Sequence, residues 1–231
     1  RYWIATLAKV PVVCEVASEY RYRHPVTSAY STALAMSRSG ESLDTLMATR
    51  HAASSGLHTI GLVNVPGSTI ARETNFVLPT RAGPEIGVAS TKAFTAQLTV
   101  LLSFAVALAK AKGSIDAERA AQIHQHIQGL PGLVGRALTL FDPIRPIAHA
   151  LSQARSALYL GRGTLYPLAL EGALKLKELS YIHAEGFASG EMKHGPIALI
   201  EEGLPVVALL AADEVMAKAS SNLREAAARG G

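Results

Sequence analysis

Short apolar segments alternate with helical patterns along this chain. Segments typical of strands cover residues 11–16, 32–36, 59–64, 75–79, 156–160 and 205–210. Helical patterns lie between and after them, at residues 42–54, 88–112, 165–182 and 213–229. Fully apolar strands that are connected through helices are typical of parallel sheets covered on both faces. The sequence therefore predicts an α/β fold.

This alternation occurs twice, with a more polar helical stretch between the two occurrences. Residues 113–155 contain Pro131, Pro143 and Pro146, and we expect the helices to break there. The second half opens with a strand and a glycine loop at residues 161–164, whereas the first half shows no such opening. We predict two units, residues 1–140 and 141–231, and we expect both to be truncated: the first lacks its opening strand and the second its C-terminal part.

Composition narrows the class of protein. The 231 residues are 49% hydrophobic and 17% charged, which is typical of a globular protein and argues against disorder. The net charge is only +4 and the basic residues are scattered, so a nucleic-acid groove is not indicated. Polar residues interrupt the apolar stretch 93–109, which we interpret as a buried core helix rather than a membrane span. We predict a cytoplasmic protein with no nucleic-acid and no membrane partner.

Cysteine and histidine spacing gives no sign of a metal site. The single cysteine, Cys14, excludes an internal disulfide, and its apolar neighbours predict a small core residue. No set of cysteines and histidines has zinc spacing, and the sequence contains neither a Walker loop nor a Gly-x-Gly-x-x-Gly motif. The sequence therefore predicts no metal and no cofactor.

A serine-rich turn, Ser-Arg-Ser-Gly-Glu-Ser at residues 37–42, follows one apolar segment and precedes a helix. Such a turn offers hydroxyls and backbone N–H groups at the positive end of a helix dipole, where ligands of open α/β sheets lie. Gly40 lets the backbone approach a ligand closely. The pattern favours binding of a phosphate monoester, and capping of the helix by Ser39 or Ser42 is the alternative.

Two further segments carry side chains suited to acid–base chemistry. Glu171, Lys175 and Glu178 fall on one narrow face of the helix 165–182, and they form either a wall of a site or a solvated face with ordinary ion pairs. Residues 185–196 are rich in glycine, and we interpret them as a loop. His194 in this loop is suited to proton transfer near neutral pH, or else it is a surface histidine.

Taken together, four segments resemble one family. They are the serine turn, residues 85–95 (Glu-Ile-Gly-Val-Ala-Ser-Thr-Lys-Ala-Phe-Thr), residues 171–178 (Glu-Gly-Ala-Leu-Lys-Leu-Lys-Glu) and residues 191–196 (Glu-Met-Lys-His-Gly-Pro). In this order they resemble the two SIS (sugar isomerase) subdomains of the glutamine–fructose-6-phosphate aminotransferases, which are also called glucosamine-6-phosphate synthases. The resemblance implies two parallel sheets, each flanked by helices in a three-layer αβα arrangement.

The resemblance also implies how the substrate would be bound. Ser37, Ser39 and Ser42, with the backbone of Arg38, would hold the phosphate of fructose 6-phosphate. Val88 and Ser90 would contact the sugar chain. Arg38 stands where the family commonly has Gln, and Ser42 stands where it commonly has Thr, which preserves the hydroxyl.

The resemblance assigns the chemistry to three residues of the second half. Glu178 would move the proton between C1 and C2, and Lys175 would assist near C1. His194 would open the sugar ring and would reach the site of a neighbouring subunit, which implies a homodimer.

Parts of the family's machinery have no counterpart in these 231 residues. They are its first phosphate-loop segment, its C-terminal Schiff-base lysine and its N-terminal glutaminase domain. We therefore expect this chain to be inactive alone and the full-length protein to carry a glutaminase domain. The alternatives are a stand-alone SIS sugar-phosphate deaminase or isomerase, and a non-catalytic phosphosugar-binding module.

Overall fold

Two separate parallel sheets organise the chain. The computed structural model describes residues 1–28 and 30–231, which form two compact units, Arg1–Leu130 and Pro131–Gly231. Each unit contains one three-stranded sheet, and all strand pairs are parallel. The prediction of an α/β fold with helices flanking parallel sheets is confirmed.

The first sheet has the order β1-β2-β3, with β1 at Thr32–Ser37, β2 at His58–Val63 and β3 at Phe76–Pro79. Its helices are α1 (Ala17–Tyr20), α2 (Leu43–Ser54), α3 (Thr69–Glu73) and α4 (Lys92–Ala111), and a π-helical turn covers Ile4–Ala8. Ser37 pairs with Val63 at the last register position of β1. The carboxyl ends of β1 and β2 therefore meet at one edge of the sheet, directly before the serine turn.

Apolar side chains of α2 and α3 pack against the first sheet. The buried cluster consists of Leu46, Val63, Ile70 and Ala71. An ion pair also joins the two helices, since Arg50 donates to both carboxylate oxygens of Glu73 at 2.7 and 2.6 Å. The core thus fixes α2 and α3 at the edge where β1 and β2 end.

The prediction that α4 is a buried core helix is wrong for most of its surface. Only Ala93, Ala105 and Ala109 are buried, because α4 packs on the turn Ile4–Ala8 and its larger side chains stay half-buried or exposed. Among residues 1–28 and 30–231, α4 is the one helix whose length and hydropathy suffice to cross a membrane. Core helices of soluble proteins share that property.

Residues 11–16 do not form the predicted strand. They have no regular structure, and no described residue pairs with them in a sheet. An apolar segment forms a strand only where a neighbouring strand satisfies its backbone, and among residues 1–28 and 30–231 β1 is paired with β2 alone. Cys14 lies in this segment and is exposed, so its prediction as a small core residue is also wrong.

The second sheet has the order β5-β4-β6, with β4 at Ser156–Gly161, β5 at His183–Ala188 and β6 at Val206–Ala208. Its helices are α6 (Phe141–Leu151), α7 (Leu165–Ser180) and α8 (Met216–Ala228), and the boundary between the units falls within α5 (Ala117–Leu138). Two 3₁₀ turns follow β5, at Ser189–His194 and Pro196–Leu199.

Two predictions about the second half are wrong. Residues 183–188 form β5, although residues 185–196 were predicted to be a loop. The prolines do not end the helices either, since Pro131 lies inside α5 and both Pro143 and Pro146 lie inside α6. Pro143 is in the first turn of α6, where its missing N–H is not needed. Pro131 and Pro146 lie further along their helices, where a proline removes one hydrogen bond and bends the helix without ending it.

Candidate functional site

The serine turn at residues 37–42 is held by hydrogen bonds between its own hydroxyls and backbone. The Gly40 N–H donates to Ser37 Oγ at 3.0 Å, and the Glu41 N–H donates to Ser39 Oγ at 3.1 Å. Gly40 has φ = +70°, a left-handed conformation that favours glycine. Because Ser39 Oγ accepts an N–H group, its hydroxyl hydrogen remains able to donate. Ser37 Oγ also lies 3.1 Å from Ser42 Oγ, so one of these two hydroxyls donates to the other and the second hydroxyl hydrogen remains available.

Ser42 does not cap α2 with its side chain. It occupies the position before the helix, but its hydroxyl lies 3.1 Å from Ser37 Oγ and makes no capping hydrogen bond. Ser39 does not cap the helix either, since its hydroxyl oxygen accepts the Glu41 N–H inside the turn. The capping alternative is therefore wrong, and the turn presents its hydroxyls close to the N–H groups at the start of α2.

Asn64, directly after β2, connects the serine turn to the next loop. Its backbone N–H donates to the Arg38 carbonyl at 3.1 Å. Its side-chain oxygen accepts from Thr80 Oγ1 at 2.9 Å and from the Ala82 N–H at 2.8 Å, and its amide donates to the Gly83 carbonyl at 2.8 Å. Sequence reasoning missed this residue, although a polar residue at the carboxyl end of a buried strand is a recognisable signal.

The loop that carries Val88 and Ser90 lies beside the serine turn. Arg38 Nη1 donates to the Gly87 carbonyl over 3.5 Å, so its guanidinium contacts the neighbouring loop. Val88 is exposed, and Ser90 is half-buried. The first unit thus brings together the residues predicted to hold the phosphate and the residues predicted to contact the sugar.

Glu85 organises the segment that leads into α4. Its carboxylate accepts from Ser90 Oγ at 3.2 Å, from the Thr91 N–H at 3.1 Å, from Thr91 Oγ1 at 3.0 Å and from the Ala93 N–H at 3.1 Å. Desolvation acts to raise the pKa of Glu85, but these hydrogen bonds outweigh it and hold the pKa below its ordinary value. The carboxylate fixes residues 85–91 as a turn, which explains why α4 begins at Lys92 rather than at residue 88.

Glu171, Lys175 and Glu178 form one bridged row on α7. Lys175 Nζ lies 2.5 Å from Glu178 Oε2 and 3.4 Å from Glu171 Oε1. Partial desolvation acts to lower the pKa of Lys175, but the hydrogen bond to Glu178 and the attraction of Glu171 outweigh it and raise the pKa. Lys175 is therefore a cation at neutral pH and holds the Glu178 carboxylate in place.

The opposite side of α7 packs closely on the second sheet. Ala169 and Ala173 are buried there, as the helical spacing predicts. A Cβ at Gly186 of β5 would lie 2.8 Å from the Leu170 backbone, and a Cβ at Gly172 would lie 2.9 Å from the Tyr159 ring. This packing turns the row of charged side chains away from the sheet.

His194 ends a turn that is anchored on both sides. Met192 is fully buried in the cluster of Leu158, Leu160 and Ile200. Lys193 Nζ pairs with Glu225 of α8 at 2.9 Å. The His194 side chain is exposed, and among the described contacts no hydrogen bond or ion pair joins it to Lys175 or Glu178.

The predicted site residues therefore fall into two groups, one in each unit. Arg38 and the three serines lie with Val88 and Ser90 in the first unit, and Lys175, Glu178 and His194 lie in the second. Within residues 1–28 and 30–231, no group of three or more His, Cys, Asp or Glu side chains is arranged to hold a metal ion.

The chain matches one family model and several known sequences over most or all of its length. A family model described as "SIS domain" matches residues 1–107 and 150–231. The protein named glutamine--fructose-6-phosphate aminotransferase [isomerizing] of Bradyrhizobium diazoefficiens is 54% identical to this chain over all 231 residues, and that of Brucella abortus biovar 1 is 52% identical. The chain spans only 38% of the length of each of these relatives.

Solved structures resemble the chain as well. The C-terminal domain of glucosamine-fructose-6-phosphate aminotransferase from Francisella tularensis is 45% identical, with a TM-score of 0.98. The match covers 100% of this chain and 65% of that one. A putative phosphosugar isomerase from Silicibacter pomeroyi is 30% identical, with a TM-score of 0.81, and the match covers 99% of this chain and 67% of that one.

Proposed function

Because the chain belongs to the SIS domain family, we propose that it is the sugar-phosphate isomerase part of an enzyme that forms glucosamine 6-phosphate from fructose 6-phosphate and ammonia released from glutamine. The observation that carries this proposal is the relatives' 54% and 52% identity over all 231 residues. Both relatives are named as isomerizing aminotransferases. In this proposal the two compact units are the two SIS subdomains.

The phosphate of the sugar binds at the serine turn. The hydroxyls of Ser37, Ser39 and Ser42 and the backbone at Arg38 donate to it, while Val88 and Ser90 contact the sugar chain. The turn supports this role because the Ser37 and Ser39 oxygens already accept backbone N–H groups, so hydroxyl hydrogens of the turn can donate to an anion, one of them after the Ser37–Ser42 hydrogen bond opens. Arg38 contributes mainly through its backbone, since its guanidinium reaches Gly87.

Isomerisation requires one base that reaches two adjacent carbons and a group that opens the sugar ring. We assign the base to Glu178, which moves the proton between C1 and C2. Lys175 assists near C1 and holds the Glu178 carboxylate through the 2.5 Å contact. His194 opens the ring in the site of the partner subunit of a homodimer, and its exposure on an anchored turn supports this role.

The proposal extends to the rest of the full-length protein, its location in the cell and its need for cofactors. The full-length protein carries a glutaminase domain and works in the cytoplasm. The chemistry needs no metal and no cofactor, because the sugar's own carbonyl activates the exchanging C–H bond.

Loss of the proposed base tests the chemistry directly. In the full-length protein, Glu178→Gln should abolish exchange of a C1 hydrogen of fructose 6-phosphate with deuterium from solvent, while calorimetry shows nearly unchanged sugar-phosphate binding. Glu171→Gln is the matched control, because it removes the other carboxylate that pairs with Lys175. Deuterium exchange at the wild-type rate in Glu178→Gln would mean that α7 carries ordinary surface ion pairs. Binding without any exchange in the wild type would favour the phosphosugar-binding module.

The phosphate site is tested independently of the chemistry. Ser39→Ala removes a charge-assisted hydrogen bond, so binding of fructose 6-phosphate should weaken by about 1.5–3 kcal/mol. Titration calorimetry measures the change. Unchanged affinity would place the phosphate elsewhere.

A further inference from the structure

Glu41 presents an apparent conflict in the proposed phosphate site. It lies between Gly40 and Ser42 of the serine turn, where a carboxylate that faced the phosphate would repel it. Nothing in the chemistry proposed above uses this side chain. Its contacts show that its carboxylate is engaged elsewhere.

The Glu41 carboxylate reaches the start of α3. Its Oε1 accepts the Thr69 N–H at 2.7 Å. The same hydrogen bonds hold the pKa of Glu41 below its ordinary value, and Arg72 adds a favourable charge. Arg72 is itself held there, since its guanidinium donates to the Thr69 hydroxyl at 3.0 Å and to the Gly67 carbonyl.

Two further contacts connect the serine turn to the same segment. The Ile70 N–H donates to the Gly40 carbonyl at 3.0 Å. Ser68 is fully buried beneath Gly40, and a Cβ at Gly40 would lie only 2.0 Å from Ser68 Oγ. Gly40 is therefore packed closely on Ser68, and the hydrogen bonds of Glu41 and Ile70 connect the turn to the start of α3.

We propose that Glu41 is a positioning residue that ties the phosphate-binding turn to the start of α3 and keeps its own charge directed away from the bound phosphate. The inference rests on the proposed phosphate site. It assigns a function to the one acidic side chain of the turn and explains why an anion site tolerates it. The oxygen that accepts the Thr69 N–H matters for positioning, and the negative charge does not.

Paired substitutions in the full-length protein separate these two properties. Glu41→Gln keeps a side-chain oxygen for the Thr69 N–H and removes the charge, so dissociation constants for fructose 6-phosphate and inorganic phosphate should stay within about twofold of wild type. Glu41→Ala removes both, and we expect binding to weaken about fivefold to tenfold. KM should rise in Glu41→Ala with kcat largely retained, because the phosphate binding that is lost is the same in the ground state and in the transition state. Glu19→Gln, an exposed substitution on α1, is the control for loss of one charge.

Thr69→Pro provides a second route that leaves Glu41 intact. Thr69 is the first residue of α3, where proline is tolerated, and the extended backbone of Ser68 is compatible with a following proline. The substitution removes the N–H that Glu41 accepts, so binding should weaken as in Glu41→Ala. The double variant should be no weaker than either single variant. Thr69→Pro alone still tests the inference if Glu41→Ala does not fold.

The possible outcomes distinguish this inference from the proposed function. Tighter phosphate binding in both Glu41→Gln and Glu41→Ala would show that the carboxylate faces the phosphate and would overturn the inference. Unchanged binding in Glu41→Ala and Thr69→Pro, with weakened binding in Ser39→Ala, would overturn the inference alone. Unchanged binding in Ser39→Ala would overturn both the phosphate site and the inference.

Discussion

At the scale of single residues, side chains without a proposed catalytic role hold the loops of the first unit. Asn64 connects β2 to residues 80–83 through both atoms of its amide, and Glu85 fixes residues 90–93 through four donors. Each side chain forms hydrogen bonds with backbone groups that have no partner within a sheet or a helix. The loops next to the serine turn are therefore ordered by specific hydrogen bonds.

Replacing Asn64 tests how much these hydrogen bonds contribute. Asn64→Ala leaves the Ala82 N–H, the Thr80 hydroxyl and the Gly83 carbonyl without their side-chain partner. We expect the free energy of unfolding to fall by about 1–3 kcal/mol. Urea denaturation measures it, with Gln125→Ala, an exposed substitution on α5, as the control that stays within about 0.5 kcal/mol of wild type. A loss no larger than that of the control would mean that Asn64 does not order the loop.

At the scale of elements, the contact between α7 and β5 is close enough to require glycine. A Cβ at Gly186 would lie 2.8 Å from the backbone of Leu170, and backbone atoms cannot move aside as a flexible side chain can. Ala169 and Ala173 fill the rest of the contact. The position of the Lys175–Glu178 pair depends on this packing.

Gly186→Ala should therefore push α7 away from β5. We expect a loss of about 1–3 kcal/mol in the free energy of unfolding, which a thermal melt detects as a lower Tm. Gly129→Ala makes the same chemical change inside α5, where no atom lies within 4 Å of the new Cβ. That control should be neutral or stabilising by about 1 kcal/mol, because alanine favours a helix. Equal Tm values for the two variants would contradict the close contact.

The elements that could be predicted from the sequence are those with a local apolar pattern. β1, β2 and β4 are short apolar runs, and their pattern is local. β5 was missed because Gly186 and the polar residues His183 and Glu185 conceal it, and Gly186 is needed only where α7 approaches. The serine turn was recognisable because its three serines lie within six consecutive residues. The role of Asn64 was not, because its side-chain partners lie 16 to 19 residues further along the chain.

At the scale of the whole molecule, both units use carboxylates whose pKa is held below the ordinary value. Hydrogen bonds from Thr69 lower the pKa of Glu41, and those from Arg50 lower that of Glu73. In the second unit, the hydrogen bond from Lys193 lowers the pKa of Glu225. A folded-state pKa below the unfolded one adds stability above the ordinary value of 4.5, and this stability is lost as the pH falls through the lowered folded-state pKa.

We therefore expect acid to destabilise both units. The urea midpoint should be constant near neutral pH and should decrease as the pH falls from about 5 to about 3, because the folded state must then take up protons at these carboxylates. The double variant Glu73→Gln, Glu225→Gln should be less stable at neutral pH and should lose less on acidification, whereas Glu19→Gln should follow the wild-type curve. A decrease of the same size in wild type and double variant would assign the acid sensitivity to other groups. The paired carboxylates would then position the elements that they join without adding to the stability of either unit.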